Sequence, residues 1–328
     1  MRLSLNISPC PNDTFMFDGL INGRIDTRGY SFEVNYFDIE ELNRRVMGER
    51  DCSGSSEGSA RSGCSRSSVS SGCSTRSSHA ISSARPSISK ISYAVLPEIA
   101  SAYTVLDSGS ALGHGNGPLL VARAGFGRER EFSVSSDFKV AVPGIHTTAN
   151  MLLKRLFPGL TDRTPVLFSD IAPAVARGEF DAGVLIHEGR FTFRDHGLEL
   201  VADLGVEWER ATRGMGGNAA SATESAAHGV GVAAPHVERS GLPLPLGAIV
   251  ASRDLPPGVV RDVEELIRRS VEYAFAHPAE SREFVKSHAR EMDDDVIDSH
   301  IALFVNENSL SLSPAARLAV RELTGVEI

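Results

Sequence analysis

The residues best able to do chemistry stand at the end of one apolar run, where Val184-Leu185-Ile186 leads directly into His187-Glu188-Gly189-Arg190. An imidazole with an ordinary pKa titrates near neutrality, so His187 can accept or give up a proton under physiological conditions. The run before it is aliphatic, too short for a helix core and flanked by glycines, which reads as a buried strand. In open α/β sheets ligands bind in the crevice beyond the carboxyl ends of strands, so an ionisable group at that point is a site candidate. His, Glu and Arg are equally ordinary in surface loops, and the stretch alone does not separate the two readings. Two other places could hold an anion. Thr147 and Thr148 follow a strand over 139–143 and the turn Gly144-Ile145-His146, and they open a helix. Their hydroxyls and the free N–H groups of a helix start form an anion-binding corner, or one threonine is simply an N-cap. Asn12, Asp13 and Thr14 follow a strand over 3–7 and the turn Ser8-Pro9-Cys10-Pro11. Any of the three can cap a helix over 15–21, leaving the positive end of its dipole facing the space beyond the strand.

The elements that must position these groups alternate as strand, turn and helix. Beyond the strands already named, residues 30–37 read as a strand and 39–47 as a helix with Leu42 and Val46 on one face. Residues 90–99 read as a buried strand end leading into a short helix, and strands follow over 103–106, 118–123, 165–168 and 198–201, with a helix over 171–177 stopped by Gly178. The strand over 118–123 is long enough to cross between lobes, and the proline-stiffened 241–251 is a return crossing. After Pro256-Pro257 the chain reads as helices over 260–277, 279–292, 294–306 and 314–324. Two tracts break the pattern. Between about 50 and 89 the composition turns to serine, with 13 serines among residues 53–78, too little apolar surface to offset the entropy of ordering. Residues 211–238 are rich in glycine and alanine without sustained periodicity. Both are expected to be insertions, the first a disordered surface loop.

Several chemistries are excluded. The glycine-rich loop from Ser108 to Gly117 lacks both a P-loop ending and a G-x-G-x-x-G leading into a helix, so a nucleotide cofactor is not supported. The four cysteines, Cys10, Cys52, Cys64 and Cys73, form no C-x-x-C and have no paired-His spacing, so no metal site or disulfide framework is expected. With 33 basic and 42 acidic residues the formal charge is −9, and no basic stripe offers itself to nucleic acid. No stretch approaches the roughly 20 apolar residues of a membrane span, and the N-terminus has no signal-like apolar run, so the expected location is cytoplasmic. At 328 residues the chain exceeds what one core usually accommodates, which suggests two lobes.

Taken together, Ser8-Pro9-Cys10-Pro11-Asn12-Asp13-Thr14-Phe15, Lys90-Ile91-Ser92-Tyr93-Ala94, Gly144-Ile145-His146-Thr147-Thr148-Ala149, His187-Glu188-Gly189-Arg190-Phe191-Thr192 and Gly241-Leu242-Pro243-Leu244-Pro245-Leu246-Gly247 resemble the 1,4-dihydroxy-6-naphthoate synthase family of the futalosine route to menaquinone. The resemblance implies an α/β, two-lobed periplasmic-binding-protein-like (type II) fold with a ligand cleft between the lobes. Residues 1–117 and 252–328 would form one lobe and 118–251 the other. It also implies a lyase that converts cyclic dehypoxanthinylfutalosine to 1,4-dihydroxy-6-naphthoate without metal or organic cofactor. It places the general base at His187 and substrate contacts at Ser92, Tyr93, Ala94, Thr147 and Thr148, while Asn12 and Asp13 are candidates to line the cleft. Glu188 and Arg190 are left as structural support. The expected partner is a small-molecule substrate, with a homodimer allowed. Two alternatives remain open: chorismate dehydratase, a sister family with the same fold, and a non-catalytic binding protein. The Ser-Pro-Cys-Pro-Asn-Asp and His-Glu-Gly-Arg-Phe motifs favour the synthase over the first, and the absence of a signal sequence weighs against the second.

Overall fold

The computed structural model describes residues 1–49, 85–125, 138–215, 241–289 and 293–328. The disordered-loop reading of the serine-rich tract therefore falls largely outside the described residues, as does most of the glycine- and alanine-rich tract. Order returns earlier than expected after the first: Ile88–Ser92 is already a strand, with all five residues buried. Before the second, Ala211 ends the helix Leu204–Ala211 and Thr212 is buried against it, its hydroxyl donating to the Trp208 carbonyl.

The first sheet has the order β2-β1-β3-β11-β4, with β5 paired to β11. These strands are β1 (Arg2–Ile7), β2 (Ser31–Tyr36), β3 (Ile88–Ser92), β4 (Tyr103–Val105), β5 (Ala111–Gly113) and β11 (Leu244–Ser252). β1 is parallel to β2 and β3, while β11 runs antiparallel to β3, β4 and β5. The second sheet has the order β10-β6-β9-β7-β8, from β6 (Leu119–Arg123), β7 (Val140–Val142), β8 (Arg163–Pro165), β9 (Ala182–Leu185) and β10 (Leu198–Asp203). The chain thus leaves the first sheet between Gly113 and Leu119, and it is back before Leu244. Residues 244–251, expected in the second lobe, pair with first-sheet strands, because Gly247 to Ala251 continue the ladder of β3 register for register.

Local sequence explains most of the elements. Leu3, Leu5 and Ile7 alternate along β1 and are all buried, the pattern of a strand with one face on a core. The helix Ile39–Met47 starts on Asp38, whose carboxylate accepts from the Glu40 and Glu41 N–H groups, and it ends on Gly48 at φ +79°, the left-handed position that suits glycine. The helix Pro11–Ile21 departs from expectation. It begins four residues early, with Cys10 as N-cap and no side-chain cap, because Pro11 is preset for a first helical position. Asp13 turns back to accept from the Ser8 N–H and hydroxyl, and Thr14 donates to the Cys10 carbonyl. The strand expected over 165–168 ends at Pro165, and Phe168 opens the helix Phe168–Arg177.

One apolar cluster joins Ile91, Tyr93 and Leu112 of the first lobe to Leu120, Val142 and Val184 of the second. Separate clusters lie under the helices of the first lobe, around Phe15, Phe17, Leu266 and Ile267, and between the second sheet and the helix Phe168–Arg177. The cleft opens beside the shared cluster.

Candidate functional site

β9 is four buried residues, Ala182-Gly183-Val184-Leu185. Gly183 fits because an added Cβ would stand 2.5 Å from Ile171 Cγ2. Two residues beyond the strand, His187 adopts φ +52°, a left-handed conformation that costs a non-glycine residue on the order of 1 kcal/mol. The turn points the imidazole across the cleft at the other lobe. Its Nε2 lies 3.8 Å from Cys10 Sγ, and its ring stacks on that of His300, centroids 5.8 Å apart and planes 10° from parallel. Phe168 closes the other side edge-on at 5.1 Å. Part of the ring opens to the cleft, but protein surrounds the rest. Desolvation, reinforced by the Lys90 cation, pushes its pKa down to about 3, so the base is held neutral. Burial pushes the Cys10 thiol up to about 12, so it stays protonated beside the ring.

A chain of fixed polar groups stands behind His187. His300 Nε2 lies 3.1 Å from Asn12 Oδ1, and Asn12 Nδ2 donates to Asp13 Oδ1 at 2.9 Å. Asp13 also accepts from Lys90 Nζ, in an ion pair whose side chains are 0% and 7% exposed. Because the Asn12 amide nitrogen is committed to Asp13, its oxygen is the acceptor toward His300, which places the His300 proton on Nε2. Burial, followed by the nearness of His187, whose protonated form would repel a second cation, and of the Lys90 cation, holds His300 well below its usual pKa.

On the opposite wall, Thr147 is the N-cap of the helix Thr148–Leu156, accepting from the Asn150 N–H and donating to the Gly144 carbonyl at 2.9 Å. The Thr148 hydroxyl donates to the Leu246 carbonyl at 2.9 Å, joining the helix start to β11. The turn before it is gripped by Glu40 of the first lobe, which accepts from the Ile145 N–H at 3.1 Å, the His146 N–H at 3.0 Å and pairs with His146 Nδ1 at 2.8 Å. Gly144, at φ +156°, makes room for that carboxylate; a Cβ there would lie 2.2 Å from Glu40 Oε2. Asn43 bridges the lobes. Its Oδ1 accepts from the Ser92 N–H at 2.8 Å, and its Nδ2 donates to both Ser92 Oγ and the His146 carbonyl at 3.0 Å.

His187, Ser92, Thr147, Thr148 and Asn12 all line one cleft of about 580 Å³, counting its mouth. Asp13 does not line it, and acts on it through Lys90. Tyr93 and Ala94 are not in the wall either. The Tyr93 ring is buried in the shared apolar cluster, where desolvation raises its pKa and its hydroxyl meets Ser110 Oγ at 3.0 Å. The Ala94 N–H donates to Thr148 Oγ1 at 3.4 Å. Groups that sequence reasoning passed over include Lys90, Asn43, His300 and Cys10. Lys90 had a signal, a lone cation inside an otherwise buried strand, where lysine is rare unless paired. Asn43 and His300 had none beyond polarity on an otherwise apolar helix face.

Among the described residues no cluster of three or more His, Cys, Asp or Glu is placed to hold a metal, and no helix is long and apolar enough to cross a membrane. Two mixed α/β lobes around a cleft define a binding-protein-like fold of the periplasmic type. The same fold occurs in the ligand-binding component of an ABC-type import system from Staphylococcus aureus, with TM-score 0.59 at 10% identity, over 98% of this chain and 90% of that one. It occurs also in the alkanesulfonate-binding protein SsuA from Xanthomonas axonopodis pv. citri, with TM-score 0.56 at 13% identity, over 98% and 90%. A crystal structure of a protein from Archaeoglobus fulgidus is more similar, with TM-score 0.73 at 26% identity, over 98% and 95%.

Sequence comparison carries the assignment further. The chain belongs to the menaquinone biosynthesis family, which it matches over residues 76–217 and 233–326. Curated relatives are enzymes, the 1,4-dihydroxy-6-naphthoate synthases of Thermus thermophilus, 37% identical over 98% of this chain and 92% of the relative, and of Streptomyces coelicolor, 33% identical over 98% and 91%.

Proposed function

We propose that this chain is itself a 1,4-dihydroxy-6-naphthoate synthase, a lyase that takes cyclic dehypoxanthinylfutalosine to 1,4-dihydroxy-6-naphthoate, with His187 as the general base. The observation that carries the reading is the position of His187: a neutral imidazole, held in a left-handed turn at the carboxyl end of β9 and reaching across the interlobe cleft. A general base contributes typically 10² to 10⁴ in rate, provided it is unprotonated and within reach of the proton. A pKa near 3 makes His187 a weak base, but one that is fully available at any physiological pH. The Lys90 cation that lowers it also favours negative charge developing on the substrate as the proton leaves. The Ser92 hydroxyl, which accepts from Asn43 and keeps its own proton to give, then holds a substrate oxygen from the facing lobe, and the helix start at Thr147 and Thr148 offers its N–H groups from the lobe of His187 itself; a biosynthetic role of this kind agrees with residence in the cytoplasm.

The direct test is to incubate the purified protein with cyclic dehypoxanthinylfutalosine and follow naphthoate formation by its absorbance. Turnover is expected from wild type. His187→Ala is expected to lose at least about 10²-fold in kcat while still binding the substrate. Folded protein that gives no product would overturn the assignment, and a His187→Ala variant with near-normal kcat would remove His187 from the mechanism.

A further inference from the structure

One charged group in the cleft wall has a terminal nitrogen without an acceptor among the described residues. Arg190 lines the cleft, with its side chain 11% exposed. Its Nη2 donates to the Gly115 carbonyl at 2.9 Å and to Asp203 Oδ2 at 3.3 Å. Its Nη1 is shielded from solvent and meets no acceptor among the described residues. Asp203 cannot give this cation its whole charge, because its Oδ1 also accepts from the Gly205 and Val206 N–H groups at the start of the helix Leu204–Ala211. Burial accordingly draws the Arg190 pKa down while Asp203 draws it back, and guanidinium basicity is high enough that the charge survives.

A buried donor on a charged group without an acceptor costs more than the same lapse on a neutral group, and native proteins retain few of them. The arrangement serves a purpose if a ligand supplies the acceptor. Gly115 and Asp203 grip one nitrogen and so fix the plane of the guanidinium, leaving the other for an incoming group. A neutral hydroxyl would satisfy the N–H but leave the cation undercompensated, whereas a carboxylate does both. The lining of the same cleft includes Ala111, Pro118, Ile186 and Leu246, apolar surface suited to a flat ring.

We propose that Arg190 is the anchor for the carboxylate of an aromatic acid bound in the cleft. The inference rests on the functional reading above, which names a naphthoate as product, and deepens it by assigning one end of the ligand. It also revises the sequence expectation that Arg190 is only structural support: Nη2 has that role and Nη1 does not.

The test compares binding of 1,4-dihydroxy-6-naphthoate and its 6-carboxamide, by anaerobic titration calorimetry, to wild type, Arg190→Gln and Arg190→Lys. Wild type is expected to prefer the carboxylate. Arg190→Gln is expected to lose about 30- to 100-fold in affinity for the carboxylate and less than about 3-fold for the amide, as for a charge-assisted hydrogen bond removed at one site. Arg190→Lys, which keeps the charge but not the fork, should fall between and provides the comparison should the glutamine variant not fold. Equal losses on both ligands, or no loss on the carboxylate, would overturn the anchor while leaving the functional reading standing. Wild-type protein that binds neither ligand would overturn the functional reading and the anchor with it.

Discussion

Acid should destabilise this protein through His187, and the size of the effect follows from the cleft. In the unfolded chain the imidazole titrates at 6.5, whereas in the folded protein burial and Lys90 hold it at about 3. Between those values the unfolded state binds the extra proton, so stability is fully present above 6.5 and is lost as pH falls toward 3. At about pH 5 nearly every unfolded molecule carries the proton and almost no folded one does, a loss of about 2 kcal/mol relative to about pH 7.5. The figure barely changes if the folded pKa is one unit higher, because pH 5 would still lie above it. The perturbation is His187→Asn, chosen because asparagine tolerates the left-handed turn that His187 occupies. Urea denaturation of both proteins at the two pH values is the assay. Absolute stabilities will differ through lost ring stacking, but the variant's pH-dependent loss should be smaller by about 2 kcal/mol. His300 is shifted in the same direction, so some acid sensitivity persists in the variant. Identical pH-dependent losses in the two proteins would refute the claim that the ring is held neutral by its surroundings.

Two further outcomes concern the walls of the cleft. Lys90→Met strands Asp13 at a fully buried position and should cost about 3–5 kcal/mol in chemical denaturation; adding Asp13→Asn should recover much of it, and a double variant no better than the single would show that the pair is not coupled. Gly144→Ala places a Cβ 2.2 Å from Glu40 Oε2, so it should break the Glu40 grip on the Ile145 and His146 N–H groups, raising KM at least about 10-fold through a misplaced helix start while the far-ultraviolet circular dichroism stays unchanged. An unaltered KM would separate that grip from ligand binding.

Much of this was legible in the chain because local rules and tertiary structure agree. The helix Ile39–Met47 was readable to its end residues, since Asp38 and Gly48 cap it and Leu42 and Val46 repeat at helical spacing. The helix Pro314–Thr324 was readable for the same reason, between Ser313 and Gly325. Where local rules left a choice, the boundary moved. Asp13 has the chemistry of a cap, but Lys90 and Ser8 offered its carboxylate more, and the helix began on Cys10 instead. The strand at Leu244–Ser252 reads equally well in either lobe, because its apolar pattern says that it is buried and nothing about which sheet buries it.

For the site, the sequence by itself determined which residues have suitable chemistry and where each sits on its own element: His187 past the end of a strand, Thr147 and Thr148 at a helix start, Ser92 at the end of another strand. These are short-range facts, written in capping residues, glycines and the period of apolar residues. Only the tertiary structure decided that His187 faces Cys10 and His300 from the other lobe, that Asn43 ties Ser92 to the turn before the threonines, and that one Arg190 nitrogen in the cleft wall has no acceptor among the described residues. Each of those contacts joins residues far apart in the chain, 177 positions for Cys10 and His187. Such contacts depend on how two lobes close on a shared core, and desolvation, which makes His187 neutral and Arg190 a cation in need of an anion, exists only once that core has formed.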